Sequence, residues 1–258
     1  MVFTKDELKQ ELRGFMVGLA CSAERIFGAG CGGALLGLPG RGAWDIKPPE
    51  AVLDNAWLWQ AVLTMYDYGI EGQPHPSFGA GGDVGNHYGE AELFLLGLDS
   101  LKLFLEEDEV HPPVLAQRTV RTAMARHLLD GGERYITRDE DEMAGYLSFA
   151  EVALLADMDE RSVRNAANPK LPDALVTKNF GRRSMIAIED ARRWLSSRKG
   201  FVPTQGAPAE PQIAAPELSS LTVPYEIVAR VSESARNASL STAEFLAQLL
   251  DKHQGDMQ

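Results

Sequence analysis

Apolar residues recur at helical spacing through most of the first 130 positions. Leu8, Leu12, Phe15 and Leu19 follow Thr4 and Glu7, a pair able to close a capping box over orphan backbone N–H groups, and together they predict a first helix. Leu53, Trp57, Ala61 and Met65, each four apart, predict a second over residues 50–67. Phe94, Leu98, Leu101 and Leu105 predict a third over 89–105. The pair Pro112-Pro113 suits the first turn of a fourth, where proline's missing N–H is not needed, and its buried stripe is Val120, Met124 and Leu128. Glycine-rich stretches at 28–42 and 69–85 read as loops. Residues 1–145 are thus expected to form a helical domain for dimerisation, sensing or partner contact.

The pattern shortens after Gly145. Ser148 and Glu151 form another capping box and open a short helix through Ala156; Asp159 is placed to cap a second, running to about Asn168. Val152, Ala153, Ala156, Met158, Val163 and Ala166 are apolar or small where two such helices must face each other and a core. Asp157 falls in the tight turn between them and tolerates a left-handed backbone better than most residues. Residues 175–188 alternate around Asn179-Phe180-Gly181-Arg182-Arg183, which predicts a β-hairpin with a basic tip. A closing amphipathic helix then turns Ala191, Trp194 and Leu195 inward.

Charge separates this segment from the rest. The chain of 258 residues has 25 Lys and Arg against 37 Asp and Glu, a net −12. Residues 160–200 alone carry ten basic and four acidic side chains, so this segment is +6 and the remainder −18. An acidic chain is no general polyanion binder, but a basic island within it marks one surface for such a partner. Two cysteines, Cys21 and Cys31, match neither a disulfide framework nor a zinc spacing. The apolar run 15–38 is interrupted by Glu24 and Arg25 and does not reach the ~18 clean residues of a membrane span. Asp6, Glu7 and Glu11 precede it where a signal peptide is basic, so a soluble, cytoplasmic chain is expected.

The segment "YLSFAEVALLADMDERSVRNAA…GRRSMIAIEDARRWL", within residues 146–201, resembles the winged helix-turn-helix of excisionase and MerR-type DNA-binding proteins. A longer connection, 165–173, stands where that family has a short one. The resemblance implies a second helix in the major groove and a hairpin wing beside it. Side chains on such a helix read base edges while arginines hold phosphates. Arg161, Ser162, Arg164, Asn165 and Asn168 are its polar residues not needed inside. Arginine suits the O6/N7 edge of guanine and asparagine the N6/N7 edge of adenine, which makes Arg164 and Asn165 the base-reading candidates. Lys178, Arg182 and Arg183 on the wing are placed for phosphate or the minor groove.

Residues 202–219 contain four prolines and no aromatic residue, and read as a semi-extended linker of roughly 55 Å at ~3.1 Å per residue. Beyond it, Leu221 to Val223 is β-like, Pro224 opens a helix bearing Ile227, Val231 and Ala235, and Ser241 and Glu244 cap another bearing Phe245, Leu246, Leu249 and Leu250. Residues 220–258 resemble a ribbon-helix-helix, a unit that exists as an intertwined dimer. In that family the strand reads DNA. Here the strand carries no charge and residues 202–258 sum to −4, so self-association through Ile227, Val231, Phe245 and Leu249 is the expected role.

Other motifs weigh little. Gly28, Gly30, Gly32 and Gly33 imitate a dinucleotide-binding loop, but residues 23–27 read as helix where that motif needs a strand. Asp83, His87 and Glu90 read as a solvated loop entering a helix before they read as metal ligands, and His75 lies between two prolines without an obvious partner. No nucleophile-elbow motif surrounds a serine. The expectation is therefore a mainly α chain, not an enzyme, with no cofactor or metal. It would bind double-stranded DNA as a homodimer or higher homo-oligomer and regulate transcription, as a protein of a plasmid or mobile genetic element. An excisionase-like factor that bends DNA for a recombinase is the alternative; an enzyme built on residues 1–145 is third.

Overall fold

The structure, a computed structural model, describes residues 3–38, 50–98, 111–134, 143, 145–171 and 174–206. It is mainly helical with one small three-stranded antiparallel sheet. No helix among the described residues is long and apolar enough to cross a membrane. The linker past Gly206 and the tail with Ile227, Val231, Phe245 and Leu249 lie outside the described residues.

Helix α1, Lys5–Phe27, begins at the expected capping box: the Glu7 N–H donates to Thr4 Oγ1 and the Thr4 N–H to Glu7 Oε2. Leu8, Leu12 and Phe15 are buried on its inner face. A short α2, Cys31–Leu35, interrupts the stretch expected to be all loop, entered through the left-handed Gly30. The glycines thus follow a helix, not a strand.

The helix expected over 50–67 is broken. It forms as α3, Glu50–Leu53, and α4, Trp57–Gly69, with Ala56 extended between them. Asp54 withdraws from the helical path and accepts the Trp59 indole N–H at 3.1 Å. The break shifts the register, so Trp59 is fully buried and Trp57 is 38% exposed, its indole donating to His87 Nδ1 at 2.8 Å. A π turn, Gly85–Gly89, leads into α5, Glu90–Gly97; Leu101 and Leu105 lie outside the described residues. His75 does find partners, the rings of Phe78 and Tyr88 at 5.7 Å each and the Ser77 N–H.

Helix α6, Val114–Leu129, follows Pro113 as its cap residue. The expected stripe of Val120, Met124 and Leu128 is buried, but so are Ala116, Thr119, Thr122, Ala123, Ala125, Arg126, His127 and Leu129. A helix buried nearly all round is the core of its domain rather than one of its walls. Thr119 and Thr122 enter by donating their hydroxyls to the carbonyls four residues back, both at 2.8 Å. Helix α4 crosses it backbone to backbone: a Cβ on Gly69 would stand 2.7 Å from the Ala123 nitrogen, so only glycine fits there.

The last turns of α6 also serve a second core. Ala125, Leu128 and Leu129 pack with residues from all the elements that follow except β2. Those elements are β1 Tyr146–Ser148, α7 Phe149–Leu155, α8 Glu160–Ala166, β2 Lys178–Phe180, β3 Arg183–Ala187 and α9 Ile188–Leu195. The strands pair in the order β1-β3-β2, with Leu147 opposite Ile186 and Asn179 opposite Ser184. Residues 201–205 then return over the first core. The Gln205 N–H donates to the Gly72 carbonyl at 2.8 Å, and Arg126 binds both the Gly69 carbonyl and Thr204 Oγ1. Met1–Ala207 is accordingly one compact unit, in which the second core is held from both ends.

Candidate nucleic-acid interface

The capping box that opens α7 is formed as the sequence suggests. Glu151 accepts from the Ser148 N–H at 2.6 Å, and Ser148 Oγ accepts from the Glu151 N–H at 3.2 Å. Arg134 grips the outer side of that carboxylate with two nitrogens at 2.6 and 3.0 Å. Val152, Ala153 and Ala156 face inward, and Val163 from α8 meets them in the second core. Met158 does not join them. It is 37% exposed, because the tight turn swings it outward.

The turn is made by Asp157 at φ 50, the one non-glycine residue with positive φ among the described residues. Aspartate tolerates this basin because its short polar side chain can bond locally. Here it bonds to another element: Oδ1 accepts from Arg118 of α6 at 2.6 Å. Asp159 then caps α8, accepting the N–H and hydroxyl of Ser162 at 2.8 and 2.6 Å. Those bonds hold the Asp159 carboxyl below its ordinary range, the hydroxyl contributing most.

Arg161, Arg164 and Asn165 project from α8 and are exposed. Ser162 is half-buried, with its hydroxyl engaged by Asp159. Asn168 lies just past the helix, exposed, accepting the Lys170 N–H at 3.1 Å. The Arg164 guanidinium is neither random nor fully available. It bonds Glu160 one turn earlier at 2.5 and 3.0 Å and lies 5.1 Å from the centre of the Phe149 ring.

The hairpin turns through Gly181 and Arg182, a two-residue loop with Gly181 at φ 58. Arg182 and Arg183 are exposed at its tip. Lys178 sits farther back, its ammonium 5.2 Å from the Tyr146 ring centre and 4.9 Å from that of Phe180, with the Tyr146 hydroxyl at 3.2 Å. Not every base in the island is on offer: Arg192 donates to the Leu129 carbonyl and Arg193 to Asp190. The sequence reading missed Arg118, Arg134 and Arg192, the three arginines that tie this module to α6 and its flank. Nothing in their spacing announces it, since each partner is remote in sequence.

Among the described residues no group of three His, Cys, Asp or Glu could hold a metal ion. Comparison with family models, with curated proteins and with solved structures finds no match for this chain.

Proposed function

We propose that residues 146–201 are a winged helix-turn-helix that binds double-stranded DNA with sequence preference, and that the chain regulates transcription. One observation carries the reading. Helix α8 carries Arg161, Arg164 and Asn165 outward from the same core that anchors a hairpin tipped by Arg182 and Arg183, in a chain otherwise strongly acidic. The exposed guanidinium and amide groups suit base edges, and the hairpin tip suits phosphate. Glu160 holds Arg164 in the described conformation, so base reading requires that pair to open.

The test begins with the genomic fragments that the purified protein retains. On a retained site, Arg164→Ala should cost roughly 1–3 kcal/mol and relax sequence choice. Arg183→Ala should instead weaken all duplexes alike and lower the slope of affinity against salt by about one unit. Two variants indistinguishable from the wild type on every duplex would overturn the reading.

We further propose that the tail pairs two copies of the chain. Ile227, Val231, Phe245 and Leu249 make stripes that so small a unit has no core to cover. Deleting 221–258 should lower the oligomeric mass seen by light scattering. It should also weaken binding to a site with two half-sites by ~10²-fold while leaving a single half-site nearly unaffected. Retention of full mass by the truncated chain would assign pairing to residues 1–145.

A further inference from the structure

Two adjoining cavities, of about 410 and 300 Å³, lie where α5 and α6 meet α7, and Glu92, Met124 and Glu151 line both. The larger reaches Leu154 of α7, Met158 of the tight turn and Glu160, the first residue of α8. The smaller reaches Leu93 and Leu96 of α5. Volumes of this order hold a small organic molecule. Most charges around them are spent: Arg134 holds Glu151, Arg118 holds Asp157 and Arg164 holds Glu160. Glu92 is different. Half-buried, it accepts no hydrogen bond and joins no ion pair among the described residues.

Burial lifts the Glu92 carboxyl to about 7, reinforced by Glu151 and opposed by Arg134 and, least of all, by Arg121. A carboxyl raised chiefly by burial is one whose charge its surroundings leave undercompensated. Around it the walls are apolar. Met158, which the tight turn swings out of the second core, and Leu93 are both exposed there, beside the buried Met124 and half-buried Leu154. An anion in the larger cavity would face Glu92, Glu151 and Glu160 with only the exposed Arg121 unengaged. A cation with an apolar body answers both features. Its charge and N–H groups satisfy the carboxylate, and its body covers side chains that now meet water, against methionines that adapt to its shape.

We propose that these cavities form one binding site for a small organic cation, a primary ammonium group on an apolar body. The ammonium donates to Glu92, and the body lies against Met124, Leu154 and Met158. The site stands on its own geometry, whatever becomes of the DNA-binding reading. Its occupant touches α5, α6 and the turn into α8 at once, which links the first core to the helix assigned to DNA.

The full chain carrying ¹³C-methyl methionine reports on the walls directly, with the Met124 and Met158 signals assigned by their loss in Met124→Leu and Met158→Leu. Phenethylammonium, phenethyl alcohol and phenylacetate are probes of one shape that differ in charge. Phenethylammonium should move both signals saturably and leave that of Met65, buried in the first core, in place. The alcohol has no charge to offer Glu92 and should bind at least about tenfold more weakly, with phenylacetate weaker still. In Glu92→Gln the ammonium should bind no better than the alcohol, whose own shifts show the cavity intact. Should that variant fail to fold, the three probes on the wild-type chain decide by themselves. Signals unmoved by phenethylammonium, an equal response to all three probes, or an ammonium preference kept by Glu92→Gln overturns the proposal.

Discussion

Arg126→Ala should destabilise the protein by about 3–5 kcal/mol, the effect expected when one member of a buried charged network is removed. Arg126 is 2% exposed and donates to the Gly69 carbonyl at 3.1 Å and to Thr204 Oγ1 at 3.0 Å. Thr204 in turn donates to Asp130 at 2.7 Å, and so does the Tyr68 hydroxyl. Burial pulls the Arg126 guanidinium below its usual range, opposed by Asp130 and then Tyr68. Burial and the Asp130 carboxylate both push the Tyr68 phenol well above its own. Truncation would leave the buried Gly69 carbonyl without its donor and the half-buried Asp130 without the nearby cation. Urea unfolding should show the loss in the midpoint. Thr204→Val, which removes only the hydroxyl, should cost nearer 1 kcal/mol. Limited proteolysis of Arg126→Ala should cut residues 201–205 before either core. A variant as stable and as protease-resistant as the wild type would show that the network is decorative.

Glu92→Gln should raise stability above neutral pH by roughly 1–3 kcal/mol and leave it unaltered below about pH 4.5. Burial lifts the Glu92 carboxyl to about 7, reinforced by the nearby Glu151 charge and opposed by Arg134 and Arg121. The folded state therefore holds a proton that the unfolded chain releases near 4.5. That contribution is complete below pH 4.5 and is lost as pH rises to about 7. His127 works the other way. Its Nδ1 accepts the Gly79 N–H at 2.9 Å, which leaves Nε2–H facing the Glu133 carbonyl at 3.0 Å, so the ring is bonded as a neutral imidazole. Burial lowers its pKa, with the Glu133 backbone bond the largest opposing effect. Stability from this group is present above about 6.5 and falls as pH drops below it. The two slopes oppose each other between about pH 4.5 and 6.5, so the wild-type profile should be flatter there than that of Glu92→Gln. Thermal melts from pH 4 to 8 would reveal it, and parallel profiles would refute it.

How much of this could be read beforehand depended on whether the deciding interaction was local. Both capping boxes, the Asp159 cap, the hairpin and the inward set of α9 depend on neighbours within a few residues, and all are found. Asp157 was legible for the same reason, since a tight turn restricts its own backbone. Elements set by remote partners were not. Strand β1 has three residues and exists because β3 lies beside it. The break between α3 and α4 needs the Asp54–Trp59 bond, which periodicity at four-residue spacing ignores. Helix α6 looked amphipathic because its inward polar residues are satisfied by particular partners: carbonyls for the threonines, Gly79 for His127, and Gly69 with Thr204 for Arg126. In the site, exposed side chains were readable as exposed. The pair that engages Arg164 with Glu160 is one helical turn long and so within reach of the same reasoning, whereas the bond from Arg192 to the Leu129 carbonyl joins residues far apart in the chain.

Asp157 illustrates how one position can answer to two masters. By backbone geometry alone the turn between α7 and α8 favours glycine, since a side chain in the left-handed basin costs ~1–2 kcal/mol. Glycine, however, would release Arg118 and with it the ion pair that ties the turn to α6. Asparagine would keep the backbone tolerance but give Arg118 only a neutral acceptor. The substitution that the turn would welcome is thus the one that uncouples it from the rest of the protein. Random mutagenesis scored for folding alone would accept glycine here, and scored for a correctly aimed α8 would reject it.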